Sequence, residues 1–213
     1  MSGITKTKTY VKKKTLSSSQ GKTERVQKLR IEYWQQVKQV DPENLIFIDE
    51  MGVLLGLTRT QARSLQGSRV YDFKPFYRGS KVTVIGAISL KQVLAPATLN
   101  GSMNGNAFKV FVEKCLLTQL WSGASVVMDN VPAHKLEEIE PLIRSKGASV
   151  LDQSPYSPEF NPIEHWWSQL QTFLRQFSPT SALRLDVLIR TALDLINPQH
   201  LKNWLTNCCY CTS

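Results

Sequence analysis

Two short apolar runs, "NLIFIDE" at 44–50 and "ASVVMDN" at 124–130, contain no polar alternation and each runs into an acid, Asp49 and Asp129. A strand with one face in water alternates apolar and polar residues, so runs of this kind are strands covered on both faces. The chain must therefore supply helices for two layers. Val26, Leu29, Tyr33, Val37 and Val40 recur at helical spacing, and Asp41-Pro42 ends that pattern. Phe108, Phe111, Val112, Cys115, Leu116 and Leu120 mark a second helix over 104–121, and further helical patterns cover 133–147, 181–197 and 200–208. "KVTVIGAISL" (81–90) and "QVLAPATLNG" (92–101) are rich in β-formers and separated by one residue, which predicts a hairpin. With a last strand at 148–153, the order predicts an α/β fold, a mixed sheet with helices on both faces.

A second constraint lies in "SPYSPEFNPIEHWW" (154–167). Residues before proline are pushed out of the α region, so Ser154, Ser157 and Asn161 are expected extended and a helix begins only after Asn161. Asn161 suits an N-cap and Pro162 the first helical position, with Glu164 at the third. Ile163, Trp166, Trp167, Leu170, Phe173, Leu174 and Phe177 then form one apolar stripe with Glu164 at its border. Glu164 has two readings: it completes a capping box with Asn161, or it is held rigidly for chemistry. Trp166 and Trp167 read as core, and His165 as solvent-facing.

Charge is unevenly spread. Residues 1–40 carry ten Lys and Arg against Glu24 and Glu32, leaving only +1 of the net +9 for the rest of the chain. Residues 59–81 add Arg59, Arg63, Arg69, Lys74, Arg78 and Lys81 against Asp72 alone. Basic segments flanking a balanced body suit a polyanion such as nucleic acid, with Lys12, Lys13, Lys14, Arg59, Arg63, Arg69 and Arg78 as candidate contacts. The lysine-rich N-terminus lacks the apolar segment of a signal peptide and no run approaches a membrane span, so a soluble intracellular protein without membrane contact is expected. Cys115, Cys208, Cys209 and Cys211 fit neither a disulfide framework nor a zinc module and read as free thiols.

Three acids now occupy comparable places. Asp49 closes the first strand, Asp129 closes a strand that opens towards a helix, and Glu164 opens a helix with 34 residues between it and Asp129. Ligands of open α/β sheets collect beyond the carboxyl ends of the strands, where these acids can converge. Converging carboxylates repel unless a cation lies among them, and an all-oxygen set suits Mg²⁺ or Mn²⁺. Two such ions about 4 Å apart support phosphoryl displacement. Taken singly, each acid also reads as a turn or capping residue.

"FIDE", "VVMDNVPAHK" and "PYSPEFNPIEHWWSQLQ" together resemble the catalytic core of DDE transposases of the mariner-like superfamily, in its bacterial insertion-sequence branch. The likeness runs from about Glu24 to about residue 178. It implies a ribonuclease-H-like fold and a two-metal site that cleaves DNA strands and transfers them. By residue correspondence Asp49, Asp129 and Glu164 form the catalytic and metal-binding triad, with Asn130 and His134 as supporting residues. It further implies DNA partners (transposon ends and target), a homodimer or higher assembly on DNA, and association with the bacterial nucleoid. Members of the family carry a helix-turn-helix region ahead of the core, whereas about 40 residues precede "FIDE" here; a separately encoded region or a truncated copy is the expectation. The division read from these features is a basic arm at 1–22, a helical lead-in at 23–43, a ribonuclease-H-like DDE domain at 44–178 and a helical extension at 179–213.

No G-x-x-x-x-G-K-[ST] loop occurs, so nucleotide hydrolysis is not expected, and no G-x-S-x-G supports serine hydrolase chemistry. Two alternatives stay open at this point: another ribonuclease-H-like nuclease of resolvase or repair type, and a non-catalytic DNA-binding remnant of a transposase.

Overall fold

A computed structural model describes residues 19–59, 62–65, 67–73, 80–129 and 137–211. Lys12, Lys13, Lys14, Arg78, Asn130 and His134, named above as candidates, lie outside the described residues, as do Lys74 and the basic arm up to residue 18.

Five strands form one sheet in the order β3-β2-β1-β4-β5. These are β1 (Leu45–Leu54), β2 (Lys81–Ser89), β3 (Val93–Asn100), β4 (Ser125–Met128) and β5 (Ser149–Asp152). β1, β2 and β3 pair antiparallel, whereas β4 and β5 run parallel to β1. The predicted hairpin is β2–β3, and Pro96 falls on β3 at the sheet's edge, where a missing N–H breaks no ladder.

Side chains alternate across a strand, which sorts the core into two layers. Leu45, Phe47, Met51, Val53, Val84 and Val127 face α1 (Glu24–Val37), α4 (Ile163–Phe177), α5 (Ala182–Asp194) and α6 (Pro198–Asn207). Ile46, Ile48, Ile85, Val126 and Met128 face α2 (Gly105–Phe111), the turn that follows it, and α3 (Ile139–Arg144). The mixed sheet with helices on both faces is thus present. Tyr33 of α1 joins Tyr210 beyond α6 through a 2.5 Å hydroxyl contact, and the Tyr210 hydroxyl donates to the Phe160 carbonyl at 2.6 Å. The two ends of the described chain therefore close over one layer.

Several expectations need correction. Asp49 does not close β1: the strand continues to Leu54 because β2 keeps pairing with it as far as Leu54↔Lys81, although the parallel partner β4 stops much earlier. The helix predicted over 104–121 is α-helical only to Phe111 and then widens to a π-helical turn, Val112–Leu116, closed by Leu117 N–H donating to Val112 O at 2.9 Å. Of the helical pattern over 133–147, the described residues are α-helical over Ile139–Arg144, with Pro141 in the first turn, where a missing N–H costs nothing. Ser157 has ψ 57° rather than a fully extended value, because it starts the 3-10 turn Pro158–Phe160, with Phe160 N–H donating to its carbonyl at 3.0 Å.

Candidate active site

The parallel register fixes where two of the acids meet. Phe47 pairs with Val127, the last registered pair of β1 and β4, so Asp49 lies two residues beyond that pair on β1 and Asp129, contrary to expectation, lies just past the end of β4 rather than closing it. Two-residue periodicity gives Asp49 the face of Phe47, the one that α4 covers. β4 has ended by then, so the sheet opens into a cleft of about 910 Å³. Asp49, Asp129 and Glu164 all line it. Arg25, Glu32, Tyr33 and Gln36 of α1 form a wall, with Asp152, Gln153 and the Ser-Pro segment completing the rim.

The Ser-Pro segment is pinned by its own buried polar groups. Gln153 Nε2 donates to Ser157 O at 2.9 Å, Ser157 Oγ donates to Pro155 O at 3.1 Å, and Asn161 N–H donates to Pro158 O at 3.0 Å. Tyr156 sits between the two Ser-Pro steps at φ +53°, a left-handed conformation that costs a non-glycine residue energy and is held by these contacts. Asn161 is extended as expected and its Oδ1 accepts from Ile163 N–H at 3.4 Å, but α4 begins at Ile163, one residue later than expected, so Pro162 takes the cap position and Glu164 is the second helical residue. The capping box is therefore not formed. The Asn161 N–H that Glu164 would accept is already bound to Pro158 O, and among the described residues the Glu164 carboxylate has no hydrogen-bond or ion-pair partner. Its carboxylate is left facing the cleft.

Asp49 is held at both oxygens. Oδ1 accepts the Glu50 N–H at 2.8 Å, and Oδ2 accepts the indole N–H of Trp167 at 3.0 Å. Burial pushes its carboxyl up to about 7; the Glu50 N–H opposes the rise, the Glu164 and Glu50 charges add to it, and the Trp167 N–H opposes it. Glu164 is also raised, because the cleft strips part of its hydration. Two acids raised by burial, Asp49 also by the charge of Glu164, are poised to take a cation. The chemistry of the donors fits a hard one: Asp49, Asp129 and Glu164 are joined on the lining by Glu32, Glu140 and Asp152, with no histidine or cysteine among the described cleft residues. Among the described residues, however, no three His, Cys, Asp or Glu side chains form a ready-made metal cluster.

Arg59, Arg63 and Arg69 are exposed and none lines the cleft, whereas Arg25 does. Sequence reasoning did not place Arg25 and Asp152 on the cleft, nor the Trp167 N–H against Asp49. Asp152 was legible as a third strand-end acid, since it pairs with Met128 beside Asp129. Trp167 was legible in principle, because a buried indole N–H requires an acceptor. His165 is exposed, as read. Cys115, Cys208, Cys209 and Cys211 are free thiols, and burial pushes Cys208 up to about 12.

Residues 44–184 match the family model described as DDE superfamily endonuclease. No curated protein matches the sequence. Among solved structures, a pre-cleavage Mos1 transpososome is similar at TM-score 0.71 and 13% identity, covering 98% of this chain and 64% of that one. The mariner Mos1 paired-end complex with Mg gives TM-score 0.72 at 13% identity, again over 98% and 64%. The catalytic domain of Mos1 mariner transposase gives 0.61 at 12% identity over 93% of this chain and 92% of that one. The chain thus spans 64% of the length of the larger Mos1 chains. At these identities the likeness shows the fold, which is ribonuclease-H-like. No helix among the described residues is long and apolar enough to cross a membrane.

Proposed function

The chain belongs to the DDE superfamily endonucleases, and from that premise we propose that it is the catalytic part of a transposase that cleaves DNA strands and joins the freed 3′-hydroxyl ends to target DNA. The observation that carries this reading is the cleft shared by Asp49, Asp129 and Glu164, and the Asn161–Pro158 hydrogen bond, which occupies the N–H that a capping Glu164 would accept, supports it. The three acids would hold Mg²⁺ or Mn²⁺. Bound in such a site, divalent ions activate an attacking oxygen and neutralise a leaving one.

The protein's own residues bind and orient. Asp49 keeps a fixed carboxylate through its two hydrogen bonds, and Glu164 approaches from a helix whose start is locked by the Ser-Pro segment. Mg²⁺ keeps several waters and takes other ligands from substrate phosphate, so it would need only one or two of these carboxylates directly. Arg25 on the opposite wall offers a guanidinium to a phosphodiester entering between α1 and the acids. In cleavage, a water oxygen attacks phosphorus and the 3′-oxygen leaves as a hydroxyl; in strand transfer that hydroxyl loses its proton and attacks a target phosphodiester, whose own 3′-oxygen leaves and takes up a proton.

The same proposal covers DNA-bound assembly of two or more copies, a separately encoded helix-turn-helix region that reads the ends, and membership of a bacterial insertion-sequence branch acting at the nucleoid. It also covers the division into arm, lead-in helix, catalytic domain and helical extension. Support comes from the similar structures, which are paired-end and transpososome complexes of a mariner transposase, one with Mg and one with Mn. Oligonucleotides with free 3′-hydroxyl ends, incubated with the protein, Mg²⁺ and a supercoiled plasmid, test the reading. Joined products are expected; nicking without any joining would return the chain to a simple nuclease.

A further inference from the structure

Trp167 is three residues after Glu164, so one turn of α4 carries both on neighbouring positions of the same helix side. Its ring is 3% exposed and stacks on Trp166 with ring centroids 4.3 Å apart. Its N–H spans from α4 to β1 and ends on Asp49 Oδ2. Trp166 anchors the pair from below. A Cβ on Gly86, the residue opposite Asp49 in β2, would come within 2.9 Å of Trp166 Cζ3, so the glycine makes room for the indole directly beneath the Asp49 backbone. The two rings thus tie the helix that presents Glu164 to the strand position that presents Asp49.

We propose that Trp167 is a positioning residue for the metal-binding acids: its indole N–H fixes the orientation of the Asp49 carboxylate relative to Glu164, so that the two can share divalent cations. Buried tryptophan already needs an acceptor for its N–H, and many acceptors in a protein core are backbone carbonyls. Here the acceptor is the one carboxylate of β1 that faces the cleft. A carboxylate offers about four lone-pair sites, so Asp49, which lines the cleft, keeps acceptor capacity beyond the Glu50 N–H and the Trp167 N–H. Hydrogen-bond partners of metal-binding carboxylates act in this way, and their loss typically costs about 10- to 100-fold in metal affinity or activity.

This inference rests on the metal-binding reading above, and a pair of substitutions separates the two. Trp167→Phe keeps an aromatic ring on Trp166 and deletes the donor. Trp167→His deletes the benzo ring, yet its Nε2–H occupies the place of the indole N–H in a five-membered ring of the same size. Mg²⁺ affinity is read on the full chain from the rise of the unfolding temperature with Mg²⁺ concentration, in the absence of DNA, and cleavage is followed in parallel. Mg²⁺ is the probe because an introduced imidazole is a poor ligand for it. The expected result is Mg²⁺ binding weakened about tenfold or more in Trp167→Phe and largely restored in Trp167→His, even though the histidine variant unfolds at the lower temperature. A purely structural tryptophan gives the reverse order, with Phe the milder change on both readouts, and that overturns the inference. Unchanged Mg²⁺ affinity in Trp167→Phe overturns it alone. If the wild-type chain and an Asp49→Asn variant respond identically to Mg²⁺, the metal-binding reading fails and this inference falls with it.

Discussion

The two faces of the sheet are built from different side chains. On the face toward α2 and α3 the buried residues are mostly aliphatic, Ile46, Ile48, Ile85, Leu94, Val126, Ile139 and Ile143, with Phe108 and Phe111 the only fully packed rings described there. On the face toward α1, α4, α5 and α6 the core holds Tyr33, Phe47, Trp166, Trp167 and Tyr210, with Trp34, Phe160, Phe173 and Trp204 packed against it. Aliphatic side chains offer area and nothing else. Tyrosine and tryptophan bury area and still present an O–H or N–H that demands a partner. On the aromatic face those handles grip polar groups, Trp167 on Asp49 and Tyr210 on the Phe160 carbonyl that precedes α4. The face that carries the acids is the one whose packing can orient them.

Matched truncations should break the comparison most visibly. Trp166→Ala and Phe108→Ala each remove a buried ring, one per face, and each should cost about 3–5 kcal/mol in urea unfolding. Only Trp166→Ala should also weaken Mg²⁺ binding, since it leaves Trp167 without its stacking partner. Equal weakening by Phe108→Ala would mean that the two layers are coupled to the site alike.

A pH series should show the next largest effect. The Asp49 carboxyl is raised by burial from 3.8 to about 7, so between those values the folded, metal-free protein holds a proton that the unfolded chain has released. Stability therefore falls as pH rises through that window, by as much as a few kcal/mol. Urea unfolding in EDTA should show this slope in the wild type, reduced in Asp49→Asn, and flattened by saturating Mg²⁺. A slope that survives Asp49→Asn intact would place its source elsewhere.

Two sheet glycines give the smallest contrast. In Gly86→Ala the new methyl meets the rigid rim of Trp166 at 2.9 Å and should cost about 1–3 kcal/mol. In Gly52→Ala it meets Lys81 Cε, also at 2.9 Å, but that chain end swings aside, and the change should stay within about 0.5 kcal/mol of neutral. Thermal unfolding of the two variants side by side decides it.

Much of this was legible in the sequence because it rested on local periodicity. The unbroken runs at 44–50 and 124–130 and the stripe after Asn161 are β1, β4 and α4. What was hidden depended on pairing. The continuation of β1 past Asp49 follows from its antiparallel partner β2, a contact across the intervening basic segment that no local rule contains. The failure of the Glu164 capping box likewise turns on the later start of α4 and a competing carbonyl, that of Pro158, and the acceptor of the Trp167 N–H lies 118 residues away in sequence.

Glu164→Gln tests the central claim most directly. Glutamine is nearly isosteric and serves equally at the third position of a capping box, so a helix-capping residue would tolerate the change in both stability and activity. A metal-binding carboxylate would not, because the lost charge weakens cation binding in an all-oxygen site. Measured together, unfolding and Mg²⁺-dependent cleavage of a labelled DNA duplex should show a variant as stable as the wild type with cleavage abolished. Wild-type cleavage by a well-folded Glu164→Gln protein would contradict the account.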